Sequence, residues 1–336
     1  MNRRILTALF ISSFFIGIVQ AAGKNKPFPQ KDKIITIICP QAAGGGTDAI
    51  IRALTTELNK KKGVRVEVKN MPGNGTALGT EYVLNQPADG YTLLVGGTFT
   101  ITATQQGLTK GYNLLDSIAG LNEDPFIIAV KKQSGYTTFS QLVSDAKKIP
   151  GKISIGHAGK GSANYIACLG VNAALGKPFV VKSYNGGAGV LEAVKKEDCV
   201  AGVFSQSELV SSPDLVPLVI LTDGHSTLKE LSAVPTLSEQ GYDIEVPGYS
   251  YRALMVKTGT PQAVKSALAG LVNKAFYSAS FQKYQKQNGL IQVYTELDKA
   301  DRFMNALILE YMAIVREAHL EISSKSFKKF ININWL

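Results

Sequence analysis

Cysteine, histidine and tryptophan are scarce, at three, three and one in 336 residues. Cys39, Cys168 and Cys199 have none of the spacings of a metal site and are too few for a disulfide framework. A Cys168–Cys199 bridge stays open, because both residues fall in the second half of the chain. Cys39 closes an apolar run and is expected to be a buried thiol. His157, His225 and His319 stand apart. The chain has no Gly-x-Ser-x-Gly elbow and no His-Glu-x-x-His pair, so nothing pairs a nucleophile with a base or sets up zinc hydrolysis. Clusters of three acids are also missing. These absences predict no catalytic residues, no metal and no cofactor. No apolar run reaches the ~18 residues of a membrane span.

The first 22 residues, "MNRRILTALFISSFFIGIVQAA", read as a secretory signal. Arg3 and Arg4 form a basic start, Ile5 to Val19 an apolar stretch, and Val19-Gln20-Ala21 a small-residue cleavage pattern. The expectation is an exported, soluble chain of about 315 residues, enough for two lobes at roughly 150 residues per domain. The net charge is +10. Its lysines are scattered in pairs such as Lys131-Lys132 and Lys195-Lys196, mostly where helices should end. This is a solvated basic surface. No basic motif interleaved with aromatics supports nucleic-acid binding.

One unit repeats along the chain: an apolar strand, a glycine loop, then an amphipathic helix. "KIITIIC" leads into "PQAAGGGTD", after which Ile50, Leu54 and Leu58 fall on one helical face. "VRVEVKN" precedes "MPGNG", "KISIG" precedes "HAGKG", and "FVVKSY" precedes "NGGAG". This alternation predicts an α/β fold with mostly parallel sheets. Each glycine loop brings main-chain N–H groups and a helix start to the carboxyl end of a strand, where anions and ligands bind. Any one loop could be only a turn. Four of them, two from each half, favour a shared cleft.

Nucleotide readings fail. "SIGHAGKGS" has Gly159-Lys160 but lacks the first glycine of a P-loop and the Ser/Thr after the lysine. Gly73-x-Gly75-x-x-x-Gly79 lacks the acid that a dinucleotide site needs after the next strand.

In order, "PQAAGGGTD", "NMPGNGTALG", "PADGYTLL", "HAGKGSANY", "YNGGAG", "VPTLSEQGYD" and "KTGTPQ" resemble the substrate-binding proteins of tripartite tricarboxylate transporters, the Bordetella uptake gene receptor family. The resemblance runs from about Lys33 to about Glu321. It implies a two-lobed, type II-like periplasmic binding protein fold with a ligand cleft between the lobes. Lobe 1 would comprise 32–124 and 252–322, lobe 2 would comprise 125–251, and 323–336 would be an extension. It also implies a monomeric receptor for a small carboxylate, namely a di- or tricarboxylate, an aromatic carboxylate or an acidic amino acid. Delivery would be to integral membrane permease subunits. A sensor passing the signal to a membrane kinase is the alternative.

Carried over by resemblance, the first lobe offers Pro40, Gln41, Ala42, Gly44, Gly45, Gly46 and Thr47, then Gly75, Thr76 and Ala77, then Thr98 and Thr100. The second offers Gly161, Ser162, Ala163 and Asn164, then Asn185, Gly186 and Gly187, then Ser205. Tyr251 stands where the family often has tryptophan. Arg252 follows it, as either an ion-pair partner for a distal acid or a packing residue. Thr47 and Ser162 are also natural helix caps. Asp48 should turn away from an anion cleft and support the helix start. Gly45 is expected to lie against ligand with no room for a side chain. His157, in a glycine loop, is open to ligand, and His225 to a polar turn. Gln41 replaces the usual aromatic of the first loop. Ala201 and Ser205 stand where the family commonly carries acids.

Overall fold

The computed structural model describes residues 27–317; the expected signal over 1–22 and the extension over 323–336 fall outside the described residues. The first half alternates as β1 (Ile35–Cys39), α1 (Gly46–Asn59), β2 (Val66–Asn70), α2 (Ala77–Leu84), β3 (Thr92–Gly97) and α3 (Thr98–Gln105). A 17-residue strand, β4 (Leu115–Lys131), then runs into the second half. There follow α4 (Phe139–Lys148), β5 (Ser154–His157), α5 (Ala163–Ala174), β6 (Val180–Ser183), α6 (Gly186–Lys195), β7 (Ala201–Ser205), α7 (Gln206–Leu209) and β8 (Leu215–Ile220). The chain returns through β9 (Tyr249–Lys257) and ends with α8 (Gln262–Phe276), α9 (Ala279–Gln287), β10 (Ile291–Glu296) and α10 (Leu297–Glu317).

The helices form where the apolar spacing puts them. Ile50, Ile51, Leu54 and Leu58 of α1 are buried while Arg52 and Thr56 face outward, the single apolar stripe of a surface helix. Its N-cap is Gly45 in extended geometry rather than Thr47. At α4, Thr138 and Gln141 satisfy each other's backbone N–H groups in a capping box.

The strands follow the order β2-β1-β3-β9-β4-β7-β5-β6. The pairs inside the repeated units, β1 with β2 and β3, and β5 with β6 and β7, are parallel. The crossing strands pair antiparallel: β9 with β3 and β4, and β4 with β7, β8 and β10. β4 therefore belongs to both halves. Its residues up to Pro125 pair with β9, and from Phe126 it pairs with β7. The sequence signals only the second half of β4, because "NEDP" reads as a connector. Pro125, lacking a donor, sits where the strand changes partner. This is the two-lobed architecture of periplasmic binding proteins.

One core cluster runs through both halves, from Ile38 and Leu94 to Ile155 and Val203 by way of Tyr251 and Ala253. A second lies under the first half, with Leu54, Leu254 and Phe276. A third lies under the second half, with Ile127, Val190 and Phe204. Cys168 is in the first cluster and Cys199 in the third. All three cysteines are buried free thiols, so the open Cys168–Cys199 bridge is not formed.

Candidate functional site

All four glycine loops converge on one cleft of about 430 Å3. The strand order explains this: in each half the parallel strands end their loops on the same edge, and the shared strand β4 turns the two edges toward each other. From the first half, Pro40, Gln41, Ala42 and Thr47 line the cleft with Gly75 and Thr76. From the second half come Ser162, Ala163 and Asn164, then Asn185, Gly186 and Gly187, then Ser205. Ser162 caps α5 by accepting from the Tyr165 N–H at 3.2 Å. Asn164 is spent on the scaffold: its Oδ1 accepts from the Ala158 N–H at 3.2 Å and its Nδ2 donates to the Val203 carbonyl at 3.0 Å.

The two halves touch across the mouth. A Cβ on Gly75 would collide with the Lys160 carbonyl, and one on Gly161 with the Gly75 carbonyl. Both glycines hold left-handed angles, φ 59° and 84°, so each position rejects a side chain twice over. The Thr102 hydroxyl donates to the Gly161 carbonyl, tying α3 to the same loop.

The floor is a buried ion pair. Arg252 Nη2 lies 2.9 Å from Asp124 Oδ2, with side-chain exposures of 2% and 0%. Arg252 Nε donates to Thr47 Oγ1 at 3.0 Å. Ser207 donates to Asp124 through its N–H at 3.2 Å and its hydroxyl at 2.5 Å. The cluster joins α1, the crossing strands β4 and β9, and α7. Two polar atoms of cleft-lining residues are buried without a partner: Arg252 Nη1 and Thr76 Oγ1. Such donors cost free energy unless something satisfies them.

Glu208 also lines the cleft. Its Oε2 accepts from the Ser205 N–H at 3.0 Å. Burial, and then the Asp124 charge, push its carboxyl up to about 7.

Several expected residues lie elsewhere. Tyr251 is fully buried in the core, its ring 4.6 Å from that of Phe303. Strand alternation explains this: Ser250 and Arg252 face the cleft, so Tyr251 faces the other way. Thr98 accepts from the Tyr251 N–H at 3.2 Å, and Thr100 is fully buried in α3; neither lines the cleft, whereas Phe99 between them does. Ala77 is buried at the start of α2. Gly161 belongs to the contact at the mouth.

Gly44, Gly45 and Gly46 are not among the residues that line the cleft. The Gly44 N–H donates to Asp48 Oδ2 at 2.9 Å. Gly45 has an ordinary φ of −79°, and a Cβ there meets no protein atom closer than 3.7 Å, so the protein itself does not demand glycine at this position. Gly46 packs against the floor, where a Cβ would stand 3.0 Å from Ser207 Oγ and 3.2 Å from Arg252 Nη2.

Asp48 supports the helix start, as expected, held by Arg52 at 2.9 Å and Asn70 at 2.8 Å. His157 is buried behind the loop against Tyr165, and burial draws it down to about 4, so it is neutral. His225 bridges the Val234 carbonyl and Glu239.

The sequence carried signals for the residues it missed. "SQSE", Ser205 to Glu208, has the spacing of a capping box. An arginine inside the apolar run "YRALMV" demands a buried counter-charge, and "NED" supplies Asp124. Lys160, Tyr184 and Phe126 also line the cleft.

A polar cleft between two α/β lobes, walled by strand-end loops, makes this a solute-binding protein. The family model described as the tripartite tricarboxylate transporter family receptor matches residues 50–320, and the chain belongs to that family. Receptors of this family are periplasmic solute-binding proteins. A Pseudomonas sp. (strain P51) protein of the tcbD-tcbE intergenic region is 26% identical over 276 residues, 78% of this chain and 79% of its own. An R. palustris protein solved with adipate shares the fold at TM-score 0.80 and 21% identity, over 87% of this chain and 99% of that one. MatC of Rhodopseudomonas palustris, solved with bound malate, shares it at 0.74 and 24%, over 87% and 98%.

Proposed function

We propose that the protein is an extracytoplasmic receptor that captures a small organic carboxylate in this cleft. It delivers that ligand, as a monomer, to an integral membrane permease of the tripartite tricarboxylate type, and it performs no catalytic step. Export would use the signal over 1–22. The lobes would be 32–124 with 252–322, and 125–251, moving about the crossing strands.

One observation carries the reading. Loops from both halves enclose a polar cleft lined by Arg252, and a buried guanidinium nitrogen of that residue, Nη1, has no partner. A carboxylate oxygen satisfies such a donor in a charge-assisted bond, about twice as strong as a neutral one. Malate and adipate in two structural neighbours are carboxylates that would fit a cleft of this size. Thr47, Gly75, Thr76, Ser162, Asn185 to Gly187, Ser205 and Arg252 are the contacts we assign. Pro40 to Ala42, Ala163 and Asn164 shape the wall.

A thermal-shift screen tests this. Ligand binding the folded form alone stabilises it by about 4 kcal/mol at 1,000 times Kd. Carboxylates should raise Tm and their primary amides should not. Hits confined to neutral sugars would remove the proposal.

A further inference from the structure

A carboxylate stands inside a cleft built from anion-seeking loops, and the proposed function leaves it unused. Glu208 Oε2 is fixed by the Ser205 N–H. The Gly46 N–H, at the start of α1 in the other lobe, also faces it. Its Oε1 lies against Gly187, where any Cβ would overlap it. Glu208 takes part in none of the ion pairs among the described residues.

The charged groups around it are few. From β4 comes Asp124 and from β9 Arg252, and these two are paired with each other. From the loop before α5 comes Lys160, exposed at the rim of the cleft. α1 gives only the Gly46 N–H, since its Asp48 and Arg52 are bound to each other. α6 gives only Gly187. Arg252 and Asp124 cancel, so above about pH 7 Glu208 leaves the floor with one formal negative charge, and the rim lysine is screened by solvent.

We propose that Glu208 sets ligand choice: it accepts a hydrogen bond from an ammonium, hydroxyl or amide group of a monocarboxylate and excludes the dicarboxylate of equal length. The inference rests on the carboxylate-receptor reading above. A ligand carboxylate satisfies Arg252 Nη1 and the loop hydroxyls. A second carboxylate would face Glu208 as a like charge, which binding sites use to reject wrong partners. The raised carboxyl of Glu208 gives the selection a pH dependence. Above about 7 it is an acceptor that favours donors. As pH falls through that value it takes a proton, becomes a donor, and admits the diacid.

Calorimetry on matched pairs of ω-amino acid and dicarboxylate of four to eight carbons, such as 6-aminohexanoate and adipate, tests this at pH 8 and pH 6. At pH 8 the amino acid should bind tenfold or more tightly than its diacid at the chain length that fits, and the gap should narrow at pH 6. Glu208→Gln, which keeps an acceptor for the Ser205 N–H, should abolish both the preference and its pH dependence. A wild-type preference for the diacid at pH 8 overturns the inference and leaves the receptor reading standing. An unchanged ratio in a folded Glu208→Gln protein does the same. Absence of binding by every carboxylate in both series overturns both.

Discussion

Replacing Gly75 with alanine should separate folding from closure. A methyl group at that position meets the Lys160 carbonyl of the opposite lobe, and Leu108 Cδ1 of its own lobe at 2.7 Å. The leucine can turn aside, but the carbonyl is backbone and cannot. Alanine also pays about 1–2 kcal/mol for the left-handed angle, with or without ligand. Only the clash with Lys160 depends on the lobes being together. Forcing extra atoms into a packed contact costs about 1–3 kcal/mol, and 1.4 kcal/mol is tenfold in affinity. The carboxylate picked out by thermal shift should therefore bind roughly tenfold to a hundredfold more weakly by calorimetry. Gly135→Ala is the control: its φ is 81° and its Cβ would meet nothing within 4 Å. It should lower Tm without changing affinity. A folded Gly75→Ala protein with wild-type affinity would refute the claim that the two loops meet in the bound state.

Other consequences follow from the floor and the crossing strands. Arg252→Gln leaves Asp124 buried beside a neutral partner, and removing one member of a buried pair costs about 3–5 kcal/mol. A denaturant titration showing a loss under 1 kcal/mol would mean that water reaches the pair. If the lobes hinge about the crossing strands near Pro125 and Gly248, as the proposed capture of ligand requires, X-ray scattering should report a smaller radius of gyration when the ligand saturates the protein; an identical profile would mean a fixed pocket. Cys39, Cys168 and Cys199 are buried thiols, and burial raises Cys39 to about 11. A thiol reagent at pH 7.5 should label none in the native protein and all three after unfolding, and a count of one after unfolding would restore the disulfide.

Periodicity made the repeated units legible. Ile50, Leu54 and Leu58 mark α1 because a surface helix buries one stripe, and the loops were visible because two or three glycines cluster after each strand. What periodicity could not show is who pairs with whom across the chain. Asp124 and Arg252 are 128 residues apart, and only the crossing of β4 and β9 brings them together. The direction of Tyr251 depended on the register of β9, where a shift of one residue exchanges the two faces. Which main-chain donors stay free was not legible for a related reason. Gly44 and Gly186 spend their N–H groups on Asp48 and on the Ala158 carbonyl, and Gly46 turns its own toward Glu208. A helix start is an anion site only when the chain has not already supplied the anion.

The central claim is that this cleft holds a small carboxylate. Native mass spectrometry of the protein purified from its own periplasm, with the released ligand then identified, tests it most directly. The account predicts one bound molecule per chain, a carboxylate small enough for a cleft of about 430 Å3, and its loss from a folded Gly75→Ala protein. A bound neutral sugar, peptide or nucleotide in its place would contradict it.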